Sequence, residues 1–168
     1  HLGVRRQRQM CIRDRFSDAA AAVMLEKSET NEIGPFIFKT SGDGGDFLTV
    51  KNGNKELYMD GPAVLKFSLN LVPEATHELL EKANCKKEDI DTFIFHQASA
   101  VVLNKLKKKL DILDSQWFNQ IENIGNTVSA TIPIAISILQ NENKFSYSKK
   151  YLLMGFGVGL SVAGCIIS

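Results

Sequence analysis

Two residues in this chain stand where chemistry collects. His96 follows the apolar run Phe93-Ile94-Phe95 and precedes Gln97-Ala98-Ser99; thirty residues later Asn126 sits between Gly125 and Thr127. Each marks a junction between an element and a loop, where a rigid scaffold presents catalytic side chains. An imidazole and a carboxamide that share a pocket can hold an oxygen anion with their N–H groups. Each residue also has a plainer use. His96 would serve as a structural or capping side chain at a strand end, and Asn126 beside Gly125 as a left-handed turn residue. For Asn126 the two uses are compatible.

Both junctions need elements behind them. Residues 90–95 read as a strand ending on His96, and residues 98–110 as the next helix. Val101, Val102, Leu106 and Leu110 lie on one face of that helix; Lys105, Lys107, Lys108 and Lys109 occupy much of the other. Residues 117–121 read as a short strand before the Gly125-Asn126-Thr127 junction. Residues 128–139 read as an apolar helix that tolerates Pro133 in its first two turns. Residues 151–154 and 161–167 read as two strands joined tightly across Gly155-Phe156-Gly157-Val158-Gly159.

Upstream, residues 35–40 form an aromatic, β-branched strand pattern ended by Ser41-Gly42-Asp43-Gly44-Gly45. Residues 42–61 read as a loop containing a short strand at 47–50. Asp60-Gly61-Pro62 is a helix start with Asp60 as cap. Apolar spacing from Val64 to Leu80 carries that helix to about residue 83, and Pro73 is expected to kink or split it. Residues 16–28 admit two readings: the four alanines favour a helix, while the shortness of the run suits a buried strand equally well. Strands alternating with helices and closing on a strand pair give an α/β layered domain with a mixed sheet.

At 168 residues, 44% hydrophobic and 23% charged, the chain has the composition of one globular domain. No apolar run is long and uncharged enough to span a membrane. Charge is uneven. All five arginines lie within residues 1–15, whereas residues 16–168 carry fifteen lysines against eighteen acids, a net −3. A basic terminus admits a nucleic-acid or membrane arm, and it lacks the apolar segment of a secretion signal. The stretch Val4-Arg5-Arg6-Gln7-Arg8-Gln9-Met10-Cys11-Ile12-Arg13-Asp14-Arg15 resembles translated sequencing-adaptor read-through. Residues 1–15 are therefore treated as a non-native segment, and 16–168 as the domain. No nucleic-acid partner is expected. That leaves Cys85 and Cys165 with no C-x-x-C pair, which fits a reducing cytoplasm and neither a disulfide framework nor a metal site.

Residues 16–168 resemble the C-terminal half of a β-ketoacyl-acyl-carrier-protein synthase III, of the thiolase superfamily. The resemblance rests on five stretches in order: Phe16-Ser17-Asp18-Ala19-Ala20-Ala21-Ala22-Val23, Met59-Asp60-Gly61, His96-Gln97-Ala98-Ser99, Gly125-Asn126-Thr127-Val128-Ser129-Ala130-Thr131-Ile132-Pro133, and Gly155-Phe156-Gly157-Val158-Gly159. It implies a thiolase-like half-domain with a mixed sheet and layered helices. It also implies a decarboxylative Claisen condensation run by a cysteine, a histidine and an asparagine. The substrates would be an acyl-CoA and malonyl-acyl-carrier protein, with no cofactor, in fatty acid or related biosynthesis.

On this resemblance His96 and Asn126 hold the enolate left by loss of CO₂. Backbone N–H groups near Gly157 and Val158 line the oxyanion hole of the acyl group. Lys105, Lys108 and Lys109 read either as a solvated helix face or as a docking patch for the acidic acyl carrier protein. The sequence departs from the family at Val101, where an arginine is usual, and at Ser99, where asparagine is usual. Those departures motivate a second reading: a thiolase-fold acyltransferase that acts without decarboxylation on a sugar, amine or alcohol. A third reading is a silent scaffold. The family's nucleophilic cysteine belongs to an N-terminal half. The chain is accordingly expected to be a truncated product, inactive alone, exposing an apolar face and prone to aggregate or dimerise, whereas the complete enzyme is a homodimer.

Overall fold

The computed structural model describes residues 16–30, 32–50 and 57–168. The adaptor-like residues 1–15 lie outside the described residues. Among the described residues the strands are β1 (Ile33–Thr40), β2 (Leu48–Val50), β3 (Leu57–Met59), β4 (Thr92–Phe95), β5 (Tyr151–Gly157) and β6 (Ser161–Ile167). Among the same residues the α-helices are α1 (Gly61–Lys82), α2 (Ala100–Leu110), α3 (Ile121–Ile124) and α4 (Thr131–Asn141). The main sheet has the order β1-β6-β5-β4, while β2 and β3 form a separate hairpin. β4 runs parallel to β5; β5–β6 and β6–β1 are antiparallel. This is the mixed α/β sheet expected from the sequence.

The centre of the sheet is buried on both faces, which explains why β4 reads as an unbroken apolar run. On one face Phe93, Phe95, Leu152, Met154, Val162 and Ile166 pack with α1 and α2. On the other, Ile94 and Tyr151 pack against Ala135 and Leu139 of α4. The alternation follows from successive strand side chains pointing to opposite faces. Gly164 of β6 is required by close packing. A Cβ there would stand 2.8 Å from Met154 Cε and 2.9 Å from the Leu153 carbonyl oxygen.

The edge strand β1 is covered on one side only. Ile37 is buried in the core beneath α1. Phe36 and Phe38, on the opposite side, stack with ring centroids 6.3 Å apart, and Phe38 remains 74% exposed.

α1 starts as expected: Asp60 Oδ1 accepts the Ala63 N–H at 3.0 Å, satisfying one of the helix's orphan donors. The anticipated split at Pro73 does not occur, and α1 is helical throughout Gly61–Lys82. Proline removes the N–H that would have bonded the Leu69 carbonyl. Lys109 of α2 supplies the replacement, with Nζ donating to the Leu69 oxygen at 2.6 Å. A helix tolerates proline where a neighbour satisfies the freed carbonyl, and Lys109 is that neighbour.

Two further expectations are corrected. Residues 17–30 are exposed and form neither a helix nor a strand. Phe16 bridges Asn126, with the Ser17 N–H bonded to the Asn126 oxygen at 2.9 Å, but the chain then leaves the body. Four alanines are too few to nucleate a helix unaided, and Val23, Met24 and Leu25 meet no apolar surface among the described residues. The strand expected at 117–121 reduces to a single bridge between Trp117 and Phe93. The Gln120 N–H bonds the Gln97 side-chain oxygen at 3.0 Å, and α3 begins at the next residue.

Candidate functional site

The parallel pair β4–β5 delivers His96 to the carboxyl end of β4. Its N–H bonds the Met154 carbonyl at 2.8 Å, continuing the ladder one residue beyond the strand. Gln97 turns inward and is fully buried. Its amide donates to the Phe95 carbonyl at 2.8 Å and accepts the Gln120 N–H. The role of Gln97 is thus to stitch the strand end to the loop before α3. Ser99 caps α2, with Oγ accepting the Val102 N–H at 3.3 Å. Both serine and the asparagine usual in the family are good cap residues, so this departure is structurally neutral.

Asn126 is buried and held at both ends of its amide. Nδ2 donates to the Ala98 carbonyl at 3.2 Å, and Oδ1 accepts the Val128 N–H at 2.9 Å. An amide nitrogen has two hydrogens, so one N–H is left for another acceptor. Val128 takes a left-handed backbone, φ +54°, a conformation that costs a β-branched residue on the order of 1–3 kcal/mol. The carbonyl of this strained residue accepts the Thr131 hydroxyl at 3.0 Å. The same hydroxyl oxygen lies 2.7 Å from His96 Nδ1.

These contacts close a ring. His96 meets Thr131, Thr131 meets Val128, Val128 meets Asn126, Asn126 meets Ala98, and the Ala98 N–H returns to the His96 carbonyl at 2.8 Å. The structure therefore brings together the two junctions that lie thirty residues apart in sequence. Phe156 of β5 sets its ring edge-to-face with the imidazole, at 5.4 Å between centroids and 81° between planes. Burial holds His96 at a pKa of about 4, opposed only in part by the Val128 carbonyl. The imidazole is neutral at pH 7.

None of the remaining candidates contributes a contact to this ring. Gly157 ends β5 opposite Ser161, and a side chain there would meet nothing within 4 Å. Val158 is 69% exposed in the turn beyond. Their backbone is thus open to a ligand. Lys105 and Lys108 are exposed with no polar partner among the described residues, whereas Lys107 pairs with Asp114 and Lys109 is committed to Leu69. Burial pushes the Cys165 thiol up, the reverse of what activates a nucleophile. Among the described residues no group of three or more His, Cys, Asp or Glu could hold a metal, and no helix is long and apolar enough to cross a membrane.

Sequence reasoning missed Thr131 and Phe156 as parts of the site. The available signal was position alone: Thr131 opens the helix after Asn126, and Phe156 interrupts a run of glycines facing the same strand end.

Residues 80–168 match the family model described as 3-oxoacyl-[acyl-carrier-protein (ACP)] synthase III C terminal. The chain belongs to that family. The match covers β4, α2, α4, β5 and β6, hence His96, Asn126 and the glycine-rich turn. The chain is 31% identical over 153 residues to the β-ketoacyl-[acyl-carrier-protein] synthase III of Listeria monocytogenes serotype 1/2a, covering 90% of this chain and 49% of the relative. It is 34% identical over 166 residues to synthase III 2 of Bacillus cereus, covering 90% and 50%.

A crystal structure of a 3-oxoacyl-(acyl-carrier-protein) synthase III is similar at TM-score 0.77 and 35% identity, over 86% of this chain and 49% of that one. The synthase III of Aquifex aeolicus superposes at TM-score 0.79 and 28% identity, over 84% and 46%. The fold is that of a thiolase-like half. The chain spans about half the length of the curated relatives it matches.

Proposed function

We propose that this chain is the enolate-stabilising half of a 3-oxoacyl-acyl-carrier-protein synthase III type acyltransferase, acting in fatty acid or related biosynthesis. The observation that carries this reading is the contact ring joining His96 to Asn126 at the end of β4, in a chain belonging to this family. A cysteine thiolate, contributed by an N-terminal half, takes an acyl group from an acyl-CoA. Malonyl-acyl-carrier protein then loses CO₂, and the carbon so released attacks the acyl thioester, with the cysteine thiolate leaving.

Decarboxylation places negative charge on the thioester oxygen. The unused N–H of Asn126 answers that charge from a fixed position, joined by the imidazole of His96 once its facing nitrogen carries a proton. The open backbone at Gly157 and Val158 suits the acyl oxygen. Lys105 and Lys108, unpaired among the described residues on the outer face of α2, suit an acidic carrier protein. Lys109 serves α1 first. The complete enzyme works as a homodimer in the cytoplasm and needs no cofactor.

Acyl transfer without decarboxylation to a sugar, amine or alcohol loses part of its motivation, because Ser99 is accounted for as the cap of α2; only Val101 still favours it. Release of CO₂ from carboxyl-labelled malonyl-acyl-carrier protein by the complete enzyme tests the choice. Condensation requires one CO₂ per product. Product without CO₂ would establish the transferase, and turnover unaffected by His96→Ala would establish a silent domain.

A further inference from the structure

The ring described above fixes more than the place of His96; it also fixes where its proton sits. Thr131 is 1% exposed, so its hydroxyl has no solvent partner to draw on. One oxygen and one nitrogen lie within hydrogen-bond distance of Oγ1, the Val128 carbonyl at 3.0 Å and His96 Nδ1 at 2.7 Å, and the same carbonyl also acts on the imidazole. A hydroxyl carries one hydrogen, and a carbonyl can only accept. If the hydroxyl turned to Nδ1, the Val128 oxygen would face the Thr131 oxygen with no proton between them. If it donates to Val128, Oγ1 is left as an acceptor, and the short contact with Nδ1 is filled by an Nδ1–H. One proton arrangement satisfies both contacts: Nδ1–H to Thr131 Oγ1, and Thr131 O–H to the Val128 carbonyl.

We propose that Thr131 is a positioning residue whose hydroxyl holds the resting imidazole of His96 with its proton on Nδ1, leaving Nε2 as a bare proton acceptor. The strained Val128 turn supports the assignment, since it is the left-handed residue whose carbonyl takes the Thr131 hydroxyl. The edge-on ring of Phe156 holds the imidazole plane. An unprotonated nitrogen cannot donate to an enolate. This inference rests on the condensing reading for its consequence: Asn126 is the standing donor, and His96 becomes a donor only after Nε2 gains a proton. Nε2 can take that proton from the cysteine thiol as it becomes the attacking thiolate, with coenzyme A leaving as its own thiolate once the acyl group has moved to the cysteine sulfur.

The test is long-range ¹H–¹⁵N correlation of the imidazole nitrogens in this 168-residue chain, labelled at its three histidines, at pH 7. His96→Gln assigns the His96 signals by their loss, and a dispersed amide spectrum confirms folding of each variant. The Nδ1–H pattern is expected for the chain and for Thr131→Ser. Thr131→Val, and Thr131→Ala should valine fail to fold, are expected to lose that pattern in favour of Nε2–H. An Nε2–H pattern in the unsubstituted chain would overturn the proposal, as would an unchanged Nδ1–H pattern in the valine or alanine variant. No substrate enters the measurement, so failure of the condensing reading leaves its outcome intact.

Discussion

The side-chain amide of Asn126 donates to the backbone carbonyl of Ala98 at 3.2 Å, tying the loop before α4 to the loop after β4. The bond spends one amide hydrogen on structure and leaves one for chemistry. The non-glycine left-handed residue of this junction is Val128, not the Asn126 that the sequence suggests; on the proposed reading the free amide hydrogen of Asn126 is the oxyanion donor.

Asn126→Ala in the complete enzyme is expected to lower the rate of malonyl decarboxylation by roughly 10²–10³, the usual cost of one oxyanion donor. Asn126→Asp should do worse, because it adds a negative charge beside the enolate. Release of labelled CO₂ measures both, and an aspartate variant as active as the parent would contradict the assignment.

His96 titrates at about 4, below the ordinary histidine value, because burial disfavours the charged ring. The sign follows from proton binding. As pH falls below the unfolded value of about 6.5, the unfolded chain takes up a proton that the folded chain refuses, so stability falls with pH until the folded ring also titrates. Above that window both states are neutral and His96 contributes no pH dependence. His96→Gln should flatten the acid limb of a urea-melt series between those two pH values.

Lys109→Met is expected to destabilise the fold by about 1 kcal/mol, since it orphans the Leu69 carbonyl that Pro73 left free. Pro73→Ala should remove most of that penalty by restoring an N–H at position 73, so the pair is non-additive. Urea midpoints of the two single variants and the double variant give the coupling. Lys108→Met, by contrast, should leave the midpoint unchanged and weaken carrier-protein binding in the complete enzyme.

Phe36, Phe38, Val23, Met24 and Leu25 expose apolar surface that monomers seldom leave open. Sedimentation of this chain alone should show association, and Phe36→Ser with Phe38→Ser should shift it towards monomer at equal concentration. A strictly monomeric parent would show that the β1 face needs no cover.

Most of the scaffold was legible because its signals are local. β4 is a run of buried aromatics and β-branched residues, and α2 shows its periodicity and its serine cap. Asp60 caps α1 as its position before Gly61-Pro62 implies. The errors arose where a distant group decides. Pro73 argues for a break until Lys109, thirty-six residues away, reaches the orphan carbonyl. Residues 117–121 look like a strand until the Gln97 amide takes the Gln120 N–H. Ala19 to Ala22 suggest a packed element, but nothing among the described residues packs against them. In the candidate site, residue type and spacing pointed to His96 and Asn126, which the fold joins in one contact ring. Thr131 stayed hidden because a threonine opening a helix is ordinary until the fold sets it against an imidazole.

The bond from the backbone N–H of His96 to the Met154 carbonyl makes residue 96 the next rung of a parallel sheet. Its backbone inherits the spacing of that ladder, which is among the stiffest rulers a protein possesses. Changes in the turns and helix ends around the ring can therefore alter its surroundings without moving the backbone that carries the imidazole.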